Sequence, residues 1–168
     1  MSPATKALFA TAVFSLAGIV SVVLVAPHNE FLVPHILFYA VLTLNSYFSV
    51  RFYSAIQPKS ISQTLVDTLL VVVYLGLALS IGQPLSFALF ALFVFIVATP
   101  KYALMRGVIP HDALLRRKIL IDLSGVAFCA LVVVCTLLGY SWESAWVLGV
   151  GFALANVYHL LIYPMYRL

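Results

Sequence analysis

Two aspartates stand where an unpaired carboxylate is costly. Asp67 and Asp122 each lie roughly two turns inside a long apolar run, a depth at which such a group costs about 2.5–3.5 kcal/mol on insertion scales. Each therefore needs a cationic partner or a water-filled cavity. Arg51 and Arg106 stand near the ends of the neighbouring runs, and two readings follow. In the functional reading these four residues build two polar half-sites, in which the carboxylates bind or relay a cation or proton and the arginines set their pKa or hold an anion. In the packing reading the aspartates pair with those arginines and fix helix contacts, helped by their position near helix N-termini. Lys118 stands four residues before Asp122 on the same helical face, an alternative partner, and Gln63 holds the equivalent place before Asp67.

A second polar group lies near the C-terminus. Asn156, His159 and Tyr163 recur at i, i+3 and i+7, one stripe of a helix, and Asn45 lies near mid-depth in another apolar run. Hydrogen-bonding side chains at such depths face other helices or a cavity rather than lipid. The stripe then either lines a permeation path, with His159 as a proton carrier, or makes interhelical hydrogen bonds of about 0.6–2 kcal/mol each. The small pairs Gly149 with Ala153 and Gly151 with Ala155 permit close backbone approach, so the last helix is expected to be central. The candidate substrate or ion site is thus Asp67, Asp122, Arg51, Arg106, Asn45, Asn156 and His159.

Other chemistries lack their residues. A bis-histidine haem needs two His facing each other at similar depth, whereas His28 and His35 fall on one side of the chain's path and His111 and His159 on the other. Cys129 and Cys135 are six residues apart in one run, on different faces of a helix, and imply neither disulfide nor metal. The sequence contains no HExxH, GxSxG or P-loop pattern and no nucleophile set. No cofactor is expected, and an enzyme acting on lipid or isoprenoid head groups, with basic residues holding phosphate, ranks behind non-catalytic readings.

The elements that carry these residues follow from composition. Of 168 residues 64% are hydrophobic and 8% charged, and the mean hydropathy is +1.14. Soluble domains carry roughly a quarter charged residues, so the chain is expected to be an integral membrane protein. Apolar runs at 7–26, 32–56, 61–81, 85–106, 117–138 and 143–163 are each long enough to cross a bilayer. An all-α bundle of six transmembrane helices results, leaving no room for a soluble catalytic domain. The breaks carry Pro27-His28-Asn29, Gln57-Pro58-Lys59, Gly82-Gln83-Pro84, Gly107 to Pro110 and Gly139-Tyr140-Ser141. Ser60 with Gln63 has capping-box spacing, Pro100 is expected to kink the fourth helix, and Lys101 to snorkel towards the interface. The first run is read as a retained helix, being longer than a signal h-region and lacking a small residue at Leu24.

Charge placement sets the orientation. With six spans, all nine Lys and Arg fall on one side or in the half-helices beside it, and Glu30, Glu143 and His28 on the other. Both termini are then cytoplasmic by the positive-inside rule, and Trp142 and Trp146 sit at the outer interface. The net charge of +4 gathers only at Arg116-Arg117-Lys118, read as a topology anchor on anionic lipid, so no nucleic-acid partner is expected. A shift of 55 residues aligns Tyr47 with Tyr102, Arg51 with Arg106, Leu65 with Leu120 and Asp67 with Asp122, and one of 111 places Asn45 on Asn156, as repeated helical hairpins would.

Two functions fit this plan. One is a small transporter or channel-like protein with a polar centre, which requires a water-filled inner vestibule. The other is a non-catalytic subunit that binds and orients a larger membrane partner, which requires a dry, fully paired interior. A homo-oligomer or such a partner is the expected protein contact, and compact loops favour a bacterial inner membrane.

Overall fold

A computed structural model of the chain describes residues 1–25, 28–57, 60–106 and 112–163. Lys59, His111, Tyr166 and Arg167 lie outside them. Six helices run in order: α1 (Pro3–Leu24), α2 (Leu32–Ile56), α3 (Ile61–Leu79), α4 (Pro84–Met105), α5 (Asp112–Leu137) and α6 (Ser141–Val157), the last continuing as a π-helical turn over Tyr158–Ile162. All six are long and apolar enough to cross a membrane. Their outward faces are apolar, as at Leu16, 63% exposed, and Val23, 77% exposed, the pattern of an exterior solvated by lipid.

Local signals explain the ends. The Ser2 hydroxyl accepts from the Thr5 amide at 3.1 Å, with Pro3 in the first turn of α1 where its missing N–H costs nothing. Ser60 accepts from the Gln63 amide at 3.1 Å, half of the expected capping box. The reciprocal arm is not made, because the Gln63 side chain is drawn to Gln57 and α4. α5 starts earlier than its apolar run, at Asp112, whose carboxylate takes Arg116 one turn on at 2.6 Å. α4 remains one helix through Pro100 to Met105.

The helices pack as a ring in the order α1, α2, α6, α5, α4, α3 and back to α1, with α4 also touching α6 across it. α4 and α5 pack closely side by side, whereas α2 and α3, consecutive in sequence, stand apart with α1 between them. At the end carrying the α1–α2 and α3–α4 turns the ring is filled. Asn29 Nδ2 donates to the Gly82 carbonyl at 3.0 Å, and the Gly82 amide donates to His35 Nδ1 at 3.0 Å. Gly82 has φ 88°, and an added Cβ would lie 2.9 Å from Val25. The His35 ring stacks on Phe87 at 3.9 Å, and Phe38 packs against both Phe87 and Phe152. The opposite end carries the N-terminus and, among the described residues, every Lys and Arg. This is the basic end.

Candidate functional site

At the basic end the interior of the ring is open. A cavity of about 570 Å³ lies there, and every helix supplies part of its wall. Gln57 at the end of α2, Ser60 and Gln63 at the start of α3, and Lys6 of α1 surround its end near the connections, while Phe14, Tyr74, Phe95 and Phe152 form its deep end. Between these levels the wall carries Asn45, Ser46 and Ser49 from α2, Asp67 from α3, Lys101 and Tyr102 from α4, and Lys118 and Asp122 from α5.

Both intramembrane aspartates line this space, each held by a lysine rather than by Arg51 or Arg106. Lys101 Nζ reaches across from α4 to Asp67 Oδ1 at 2.8 Å. Gln57 Nε2 donates to the other Asp67 oxygen at 2.8 Å and to Gln63 Oε1 at 3.3 Å, and Gln63 Nε2 donates to the Lys101 carbonyl at 3.1 Å. These four side chains tie α2, α3 and α4 into one circuit. Lys101 does not snorkel; its side chain is 10% exposed, and it is Asp67, at 41%, that faces the open space. The desolvation of an ammonium is compensated here by a carboxylate that keeps part of its access to solvent.

The second pair is more enclosed. Lys118 Nζ contacts Asp122 Oδ1 at 2.6 Å, with side chains 8% and 1% exposed, and lies 5.3 Å from the centre of the Tyr102 ring. Asp122 Oδ2 is buried and has no hydrogen-bond partner among the described residues. Hydroxyls complete the wall. Tyr102 and Ser49 share a hydrogen bond at 3.2 Å. Ser46 donates to the Leu42 carbonyl at 2.8 Å, so the Tyr74 hydroxyl, 2.6 Å away, donates to Ser46 and bridges the gap between α3 and α2.

The arginines belong elsewhere. Arg106 Nε bonds Asp112 Oδ1 at 2.8 Å beside the α4–α5 connection, and Arg51 is exposed and lines neither cavity. The long, flexible lysines reach inward where the sequence equally allowed arginines. A second cavity of about 440 Å³ lies between α5 and α6 and takes in Asn45, Asn156 and His159. Asn156 donates back to the Phe152 carbonyl at 2.9 Å, and His159 Nδ1 is buried with no partner among the described residues. Tyr163 is exposed, beneath the Arg117 guanidinium at 4.5 Å. α6 is one member of the ring rather than its axis, and Gly149 lets it approach α2, since a Cβ there would lie 2.6 Å from the Pro34 carbonyl oxygen.

No family model, curated protein or solved structure matches this chain. Function rests on the site itself.

Asn45, Asp67 and Asp122 therefore meet at the central cavity, and Asn45, Asn156 and His159 at the lateral one. Lys101, Gln57, Ser46, Ser49 and Tyr74 were not among the expected site residues. The i, i+3, i+7 spacing of Ser46, Ser49 and Tyr53 along α2 is the same signal that marks the α6 stripe. Gln57, directly before Pro58, carries only the signal of a turn. Among the described residues no group of three His, Cys, Asp or Glu is placed to hold a metal. What the arrangement offers is reversible ion-pair chemistry: a cation or proton arriving at either carboxylate competes with its lysine, and a released lysine becomes an anion site.

Proposed function

We propose that the protein is a small polytopic transporter or channel-like protein with its polar site at the base of a vestibule at the basic end. The observation that supports this reading is the central cavity of about 570 Å³ lined by both lysine–aspartate pairs. Asn45, Ser49, Gln57 and Asp67 on its wall offer water the polar partners it needs, and water is what lets charges reside at membrane depth. The positive-inside rule then places the basic end and both termini in the cytoplasm, and compact connections favour a bacterial inner membrane. In the conformation described, a solute from the basic end passes Gln57 and the Lys101–Asp67 pair before meeting Lys118–Asp122. The aromatic layer of Phe14, Tyr74, Phe95 and Phe152, backed by Phe38, Phe87 and His35, stops it from crossing. Passage requires that layer to part, and rocking of one set of helices against another is the motion transporters of this kind use.

A second reading has support of its own, because both intramembrane carboxylates are paired, as packing bridges in a partner-binding subunit would be. Flux separates the two. Purified protein in liposomes, given an imposed proton or small-ion gradient, is expected to conduct, and the Asp67→Asn, Asp122→Asn double variant of equal folded yield to lose that flux. Absence of flux from the unaltered protein, with a variant less stable to heat, would refute the transporter reading and favour the subunit.

A further inference from the structure

The cavity between α5 and α6 reaches the outside of the bundle. Leu120 in its wall is 64% exposed, and Ser124 and Ala155 are exposed on the outside of the bundle. Its remaining wall is mostly apolar, with Ile121, Phe128 and the small residues Gly125 and Gly151. At Gly151 an added Cβ would lie 2.9 Å from the Phe128 ring, so the glycine leaves that ring room to lie in the gap.

One end of this groove is cationic. Arg117 lines it, and its guanidinium lies over the Tyr163 ring. Around it Arg106 and Arg116 are taken by Asp112, and Lys118 by Asp122. Arg117 makes no ion pair among the described residues, and its planar fork suits phosphate oxygens. His159 is in the same wall. From Arg117 to Phe128 the groove follows α5 for about 16 Å, close to half the thickness of a bilayer's hydrocarbon core. A cationic head site at the basic end, followed by one leaflet's depth of apolar groove open to the side, is the shape of a phospholipid.

We infer that the α5–α6 gap is a binding groove for an anionic phospholipid, with the head-group phosphate on Arg117 and His159 and an acyl chain along Leu120 and Phe128. The site stands whether or not the central cavity conducts.

The test is photo-crosslinking in nanodiscs made of phosphatidylcholine with a small fraction of diazirine-tagged phosphatidylglycerol or, in parallel, equally tagged phosphatidylcholine. Mass spectrometry of the labelled peptides gives the position. The glycerol probe is expected to label the 117–128 and 151–159 segments about fivefold more than the choline probe, the preference one basic residue near a membrane surface supplies. Arg117→Gln should bring the two probes to parity, and Ala155→Phe, at an exposed wall position, should lower labelling by both. Equal labelling of the groove by both probes, or no effect of Arg117→Gln in a variant with an unchanged melting temperature, would overturn the site. Displacement by millimolar inorganic phosphate would also overturn it, since a free-anion site needs no chain. The readout is independent of flux, so its failure leaves the vestibule reading intact and a flux failure leaves the lipid site intact.

Discussion

Replacing Lys118 by methionine keeps the length of the side chain and removes its charge, leaving Asp122 with a side chain 1% exposed and no cation against it. Breaking a buried ion pair from one side costs about 3–5 kcal/mol, because the remaining charge is desolvated without compensation. Removing both charges, as Lys118→Met with Asp122→Leu, takes away the penalty together with the attraction, and should return stability to within about 1–2 kcal/mol of the unaltered protein. The Lys101–Asp67 pair supplies the internal control. There the aspartate side chain is 41% exposed to the cavity, and a solvated pair contributes about 0–1 kcal/mol. Equilibrium unfolding in mixed detergent micelles, run as a double-mutant cycle at each pair, measures both couplings. The coupling at 118 and 122 is expected to exceed that at 101 and 67 by at least about 2 kcal/mol. A Lys118→Met variant as stable as the parent, or equal couplings at the two pairs, would refute the inference from burial to electrostatic strength.

Two further outcomes follow from the geometry. Gly82→Ala should destabilise by about 1–3 kcal/mol, since the residue sits at φ 88° and a Cβ would press on Val25 and Asn29; a melting temperature equal to the parent's would count against this turn as the lock of the filled end. In a cysteine-free background, Ser49→Cys on the cavity wall should react with a membrane-impermeant maleimide added from the basic end, and Phe38→Cys, whose parent side chain is fully buried, should not; equal protection of both would mean that the cavity has no aqueous access.

The helices were legible because their signal is additive. Twenty apolar residues in a row outweigh any single exception, and six such runs read directly as the six observed helices. That Asp67 and Asp122 need partners was equally legible, since an unpaired carboxylate at that depth is costly. Which cation answers was not. For Asp122 the partner is four residues away and local spacing found it as an alternative. For Asp67 the partner is Lys101, on another helix and 34 residues on, and only the ring order decides that α4 rather than α2 faces α3. The apparent 55-residue shift drew attention to Arg51 and Arg106 as matched residues, yet the helix pairs it equates pack differently: α4 with α5 closely, α2 and α3 apart. A lipid-solvated exterior carries no polar signal, so neighbour order in the ring had no trace in the hydrophobic pattern.

That ring order also explains why a chain this apolar retains polar residues at depth. Six helices in a closed circle enclose a space that side chains must fill or line. At the filled end Phe38, Phe87, Phe95 and Phe152 do so with aromatic rings, and vacancies there would cost the contacts of their lining atoms. At the basic end the facing positions on α2 are Asn45, Ser46 and Ser49, too short to fill the gap towards α3, and rich in hydrogen-bonding groups that lipid does not satisfy. Leucines at the serine positions would narrow the gap, at the cost of the hydrogen bonds that Ser46 and Ser49 make with Tyr74 and Tyr102. The combination of short polar walls and a lysine–aspartate pair half open to the space is what the proposed vestibule requires. It is a poor solution for packing alone, because the same helices show, one aromatic layer deeper, that they can close.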